Sequence, residues 1–446
     1  MSIKKILFHK KFIFISFSIL TIIFFSGNCY ALNLKEVETR ASNNNYIIKQ
    51  YKLLYQSSKN IKESEFKNFL PDVSTNYSYK KLSQQPYQIV NNSKIFMSST
   101  SNFQWNLTVS QPLFSLYLLN KYKYAKYNEL FSKAQIGLIK NQIVTNAKIA
   151  YLNVLYAQKI LKVRQITSKE FSSHLKDAQY FFKNGLIPSV DLLKSEVAYY
   201  NSKQELQQAQ TNLINAIAQL NQLINEPIEK QHTFTQIKKV MPLKDTLKSL
   251  YSDIYQRPDI KALSFAIYKA KSEIGETKSA YYPQIELIGN YSRAGENADI
   301  DENRYSNNSM YSLLLIASWN IFNWGKTKNK VQAINLQEKS LQEELNNLKT
   351  YAQTQILNAY NQAMVAYNNI SVAKTSVAEA IENYKLTNLR YKNQLATSTD
   401  ILDARTLLTQ AEMDYYNSIY GYAKALENLS LSIGKDNAFD YLIRFN

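Results

Sequence analysis

The chain has 446 residues and a formal net charge of +18, and its 34 tyrosines and 20 phenylalanines stand against only 9 glycines, 8 prolines and one cysteine. So few turn-forming residues, gathered at a few points, exclude a run of short elements and predict few, long ones in an elongated molecule. One cysteine excludes a disulfide framework, and His9, His174 and His232 are too scattered for metal-ligand spacing, so neither a metal nor a cofactor is expected.

Residues 1–31 read as an export leader. Lys4, Lys5, Lys10 and Lys11 precede an apolar run over residues 12–25, and Cys29 and Ala31 put small residues at the −3 and −1 positions of a cleavage site. The apolar run is shorter than the ~20 residues a membrane-spanning helix needs. A lipoprotein leader ending at Cys29 is the other reading, disfavoured by the polar Asn28 before it. Cleavage after Ala31 removes the cysteine and four lysines, lowering the formal charge from +18 to +14. The remaining Lys and Arg are spread along helices among Asn, Gln and Tyr. That pattern fits a solvated surface or one facing anionic lipid, and no nucleic-acid partner is expected of an exported chain.

A helical stretch then runs to Phe69 and is ended by Pro71. From Val73 the period becomes two. Val73, Thr75, Tyr77 and Tyr79 alternate with polar residues, as do Phe103, Trp105, Leu107 and Val109 after a polar loop, which predicts two half-apolar strands. A helix follows over residues 115–183, broken at the turn Gly185, Leu186, Ile187, Pro188, Ser189. The next helix runs from Val190 and Asp191 to about Asn225. Residues 226–245 carry little periodicity and read as a connector.

The second half repeats the first. A helix opens at Pro258 and ends at Pro283, and two alternating strands follow, containing Leu287 and Tyr291 and then Tyr311, Leu313 and Leu315. In the last strand Leu314 and Ile316 break the pattern by falling on the polar face. No Gly or Pro occurs between Gly325 and Asn393, so a helix of about 70 residues, roughly 100 Å, is expected. Its seven-residue seam is Ile356, Ala363, Ile370, Val377, Tyr384 and Tyr391, with Ala359, Ala366, Ala373 and Ala380 between, and it ends in the turn Gln394, Leu395, Ala396, Thr397. Ala147, Ala150, Ala157 and Asp191 lie 209 positions before Ile356, Ala359, Ala366 and Asp400, so seam and turn share one register in both halves. The domain reading is a first repeat over 32–225, the connector 226–245, a second repeat over 246–434 and a tail over 435–446.

Strands of ~9–11 residues with one apolar face match a transmembrane β-barrel, and Trp105, Tyr311 and Trp319 suit an interfacial aromatic belt. Four strands cannot close, and an open edge in hydrocarbon leaves backbone groups unpaired. The expected fold is therefore mainly α with a transmembrane β part. Three copies would form a 12-stranded β-barrel continuous with a 12-helix α-barrel; two copies would leave no pore.

This order of motifs resembles the TolC-like outer membrane efflux protein family over essentially the whole mature chain. The resemblance rests on Phe69-Leu70-Pro71 and Tyr282-Pro283, on Gln111-Pro112-Leu113-Phe114, on Arg257-Pro258-Asp259, and on the paired turns ending in Asp191 and in Asp400-Ile401-Leu402-Asp403. It implies a homotrimer in the outer membrane, extending into the periplasm and serving as the exit channel of type I protein secretion or multidrug efflux. The implied partners are outer membrane lipid, a periplasmic adaptor protein and an inner-membrane ABC or RND-type transporter.

At the tip, the resemblance makes Asp400 and Asp403 a pore gate, six carboxylates in a trimer that would favour cations or bind a multivalent one. It makes Asp191 and Tyr391 the tie between an inner helix and its neighbour. The turns Gly185 to Ser189 and Gln394 to Thr397 become adaptor-docking turns. The family's constricting arginine is Ala396 here and the glycine two residues earlier is Gln394, so the closed state is expected to be held by fewer links, or by Lys392 or Arg390 in substitution. The plain alternative for Asp400 and Asp403 is electrostatics at a helix start. The rival for the whole chain is a non-conducting, periplasm-spanning structural or adhesive coiled coil. No G-x-x-x-x-G-K-[ST], G-x-S-x-G or H-E-x-x-H occurs, so no enzyme is expected.

Overall fold

A computed structural model describes residues 31–446, so the predicted leader lies, except for Ala31, outside the described residues. The first repeat opens with α1 (Leu34–Asn44). Its start is closed by a capping box in which Asn33 accepts from the Glu36 amide at 2.8 Å and Glu36 accepts from the Asn33 amide at 3.3 Å. Asn45 breaks the helix and restarts it as α2 (Tyr46–Lys67), and its side-chain amide donates to the Leu223 carbonyl at 3.0 Å. The single helix expected up to Phe69 is thus two.

The strand β1 (Asp72–Lys81) leads to a short hairpin, β2 (Tyr87–Val90) and β3 (Ser93–Phe96), within the stretch expected as a loop. Asn91 and Asn92 both take positive φ, the requirement of a two-residue hairpin turn. Next come β4 (Ser101–Phe114), the long α3 (Leu116–Lys183) and α4 (Ser189–Ile224).

The connector holds β5 (Ile237–Val240), and α5 (Leu247–Tyr251) follows just past its end. The second repeat is α6 (Pro258–Lys278), β6 (Gln284–Gly295), β7 (Ser309–Ser318), α7 (Lys326–Lys392) and α8 (Ser398–Ser432), with β8 (Ile443–Phe445) in the tail.

One antiparallel sheet joins the repeats in the order β1-β4-β6-β7. Cross-strand partners share a face, so Tyr77, Trp105, Leu107, Tyr291, Tyr311 and Leu313 lie on one side. Asn76, Asn106, Thr108, Asn290 and Ser312 lie on the other, where Thr108 donates to Asn290 at 3.1 Å. Leu314 and Ile316 do sit on the polar side, opposite Ile288 and Glu286. The inner strands, of 14 and 12 residues, exceed the expected length, and among the described residues β1 and β7 each keep one unpaired edge.

Four helical staves hang from this sheet. The helices α3 and α7 are the longest, roughly 100 Å for 68 and 67 residues. The lower halves of α3 and α7 pair with α4 and α8, while α2 packs on the upper half of α3 and α6 bridges the upper halves of α3 and α7. Along α7 the expected seam is buried at Ala352, Ile356, Ala359 and Ala363, and is half-buried further down at Ile370, Val377 and Tyr384. No helix among the described residues is long and apolar enough to cross a membrane.

The core is a belt part-way down, where α1, α3, α4, α7 and α8 meet the connector and the tail around Val37, Tyr151, Leu220, Ile356 and Leu426. The connector and tail, read separately from sequence, form one sheet: β5 pairs antiparallel with β8. Lys148 of α3 is fully buried beneath the tail. Its Nζ is 2.8 Å from Asp440 Oδ2, 3.5 Å from Glu427 Oε2 and 3.9 Å from Glu38 Oε2, and it donates to the Asp436 carbonyl.

Candidate functional site at the helical tip

The end of the rod opposite the sheet is built from two helical hairpins with the same turn. In the first, the Leu186 amide bonds the Phe181 carbonyl at 2.9 Å, and the Asn184 side chain donates to the Tyr180 carbonyl at 2.7 Å. In the second, the Leu395 amide bonds the Arg390 carbonyl at 2.8 Å, and Asn393 donates to the Leu389 carbonyl at 2.9 Å. This six-to-one closure needs a left-handed residue at its centre. Gly185 supplies it at φ 71°, whereas Gln394 adopts φ 64° with a side chain. Arg390 donates to the Leu395 carbonyl at 3.3 Å, so it braces the second turn from within. Leu186 and Leu395 project outward at the two apices, 48% and 68% exposed. Of the other turn residues, Pro188, Ser189, Gln394 and Thr397 are exposed, and Ile187 and Ala396 half-buried.

Asp400 lies in the first turn of α8. Its Oδ2 accepts from the Thr397 amide and hydroxyl, both at 2.8 Å, while the Asp400 amide donates to Thr397 Oγ1 at 3.2 Å. Those bonds from Thr397 hold its carboxyl below the usual carboxylate range. Asp400 therefore caps the helix while keeping a charge at the tip. Asp403, one turn on, is exposed and lines a shallow apolar groove with Val190, Leu193 and Leu402.

Tyr391 is buried at the end of α7, its ring 5.7 Å from Phe181 and 4.8 Å from His174. Its hydroxyl is enclosed beside Ser398 without a hydrogen bond of good geometry. Burial, aided by the charges of Asp177 and Asp191, pushes that hydroxyl up to about 12. Asp191 sits half-buried on the first turn of α4, and its backbone carbonyl accepts from Ser195 Oγ at 2.8 Å.

One residue the sequence left isolated joins the hairpins. His174 of α3 is buried, with Nε2 2.8 Å from Ser398 Oγ and 3.2 Å from Ser195 Oγ, and the two serines are 2.9 Å apart. Together with Tyr391, that cluster brings α3, α4, α7 and α8 to one point. Ser195, Ser202 and Ala209 are buried at seven-residue spacing on α4, a small-residue seam in the sequence that marks where α3 approaches. Burial lowers the His174 pKa to about 4.

A histidine held below its ordinary pKa binds fewer protons folded than unfolded. Its packing is fully stable above pH ~6.5, and as pH falls towards 4 it loses roughly 3 kcal/mol. The expected result is faster hydrogen exchange at both tip hairpins at pH 4.5 than at pH 7, after correction for intrinsic rates. His174→Gln should remove most of the difference, and an unchanged difference would separate His174 from any acid effect.

Comparison with known proteins places this architecture. The sequence profile described as outer membrane efflux protein matches residues 41–226 and again residues 250–435, once per repeat. The chain belongs to the outer membrane efflux protein family. Among its relatives, toxin and drug export protein A of Aggregatibacter actinomycetemcomitans is 26% identical over 310 residues, covering 65% of each chain. Outer membrane protein TolC of Escherichia coli is 20% identical over 317 residues, covering 67% of this chain and 63% of that one. The chain thus spans just under two thirds of the length of these relatives. The fold superposes on the CmeC outer membrane channel of Campylobacter jejuni with a TM-score of 0.80 at 16% identity, covering 90% of this chain and 85% of that one.

Proposed function

We propose that the protein is the outer-membrane exit channel of a tripartite export system, a passive conduit gated at its helical tip. The family profile matched once in each repeat carries this reading. The sheet supports it, because one face is apolar, the other is polar, and both outer edges are unpaired. Three copies closing edge to edge satisfy those edges and give a 12-stranded barrel. The exposed Leu186 and Leu395 turns are the surfaces offered to a periplasmic adaptor, behind which stands an ABC or RND-type inner-membrane transporter. Asp400 and Asp403 of three copies form the electronegative entrance, and Asp191 and Tyr391 tie the closed tip. No observation favours the non-conducting coiled coil.

Planar-bilayer recording tests this. Cation-preferring channels are expected, with the preference reduced in Asp400→Asn/Asp403→Asn, where the asparagine at 400 keeps an oxygen for the cap. Asp191→Ala with Tyr391→Phe is expected to raise resting conductance. Purified trimer that never conducts would reject the channel, and unchanged selectivity would remove the two aspartates from the entrance.

A further inference from the structure

A cleft of about 440 Å³ lies between the belt sheet and the α7–α8 hairpin. All four residues of β5 line one wall, and among the described residues the edge of β5 away from β8 pairs with no strand. Tyr367 and Ile370 of α7 and Tyr415 and Ile419 of α8 form the other wall and the floor. Lys238 and Lys239 reach the cleft from β5 and Lys374 from α7, all three exposed. Among the described residues none of these three side chains makes an ion pair or a hydrogen bond, and no carboxylate lines the cleft. The pairing register slips between Ile237 and Lys239, so Lys238 stands outside the ladder with β8.

Three uncompensated cations over an apolar, aromatic floor call for an anionic partner with apolar side chains. A free strand edge along the same cleft calls for a partner with a backbone to pair. A lipid headgroup is out of reach. Tyr367 lies 41 residues below the start of α7, which places the cleft roughly 60 Å along the helix from the membrane sheet.

We propose that this cleft binds an extended acidic segment of a periplasmic polypeptide, which adds as a strand to the free edge of β5 and sets its carboxylates against Lys238, Lys239 and Lys374. Alternate residues of such a strand point the same way, so one set meets the lysines while the other packs on Tyr367, Tyr415 and Ile419. The inference does not depend on whether the molecule conducts.

The test uses the full-length protein in detergent and fluorescence anisotropy of a labelled ten-residue peptide alternating glutamate with valine. Saturable binding is expected, weakened at least tenfold in Lys238→Glu/Lys239→Glu/Lys374→Glu and about threefold in Lys374→Gln alone. A lysine–valine peptide should not bind, and methylating alternate backbone amides of the acidic peptide should weaken it about tenfold. The proposal is overturned by absence of saturable binding to the unsubstituted protein, or by equal affinity in the triple variant when its melting temperature is unchanged. It is equally overturned if tripolyphosphate displaces the peptide and the methylated peptide binds as well as the parent, since the cleft would then be a simple anion site.

Discussion

Lys148→Met is expected to destabilise the folded protein by about 3–5 kcal/mol, and adding Glu427→Gln is expected to restore part of the loss. Lys148 lies inside a shell made by Glu38, Glu427 and Asp440 and the Asp436 carbonyl, and its side chain is fully buried. Glu427 is itself 1% exposed. Removing the ammonium leaves Asp440 and the Asp436 carbonyl without their buried donor, and leaves Glu427 with no cation to favour its charged form.

The pH dependence follows from Glu427. Burial raises its carboxyl above the ordinary range against the pull of Lys148, so the native chain holds this proton more tightly than the unfolded chain. Its contribution to stability is full below the ordinary carboxyl pKa and is lost as pH rises through the raised one. Thermal melts followed by circular dichroism should show Lys148→Met below the unsubstituted protein from pH 5 to 9. Glu427→Gln alone should melt at or above it at pH 9, and the double variant above Lys148→Met. Equal melting of Lys148→Met and the unsubstituted protein would mean that the tail is held by β5 and β8 alone.

Lys148 also marks where sequence reading stops. The long helices, the four strands, the heptad seam and the duplication were legible because each repeats a period over many residues, and burial of Ile356, Ala359 and Ala363 follows the period read from the sequence. Strands β5 and β8, of 4 and 3 residues, carry no period, so connector and tail read as separate irregular pieces although they pair across some 200 residues. Lys148 read as one more lysine on a polar helix, because its burial is imposed by a tail almost 300 residues away. At the tip the two turns were legible from Gly185 and from the aligned Asp191 and Asp400. His174 was not, since the serines that receive it come from other helices. That Gln394 would take the left-handed conformation of Gly185 could be inferred only from the repeat register.

Arg405→Ala is expected to lower the stability of the tip by roughly 2–3 kcal/mol and to raise resting conductance in planar bilayers. Arg405, 2% exposed on α8, gathers three of the four tip helices. Its Nε is 2.7 Å from Glu170 Oε2 of α3, and its Nη2 donates to Thr167 Oγ1 of α3 at 2.9 Å and reaches Glu412 of α8 at 3.4 Å. The guanidinium also lies 5.6 Å from the ring centroid of Tyr384 on α7. Burial raises the Glu170 carboxyl while Arg405 opposes the rise, so the variant leaves a carboxyl that favours protonation over separation of the helices. Because the Glu170 side chain is still 34% exposed, the expected cost falls below that of a fully buried pair. Glu412→Gln removes only the long contact and should change conductance little. If instead Arg405→Ala shows the resting conductance of the unsubstituted protein while its melting point falls, the α3–α8 tie supports the rod and has no part in the proposed gate. The restraint then resides in the last two turns, where Tyr391, His174 and Ser398 meet.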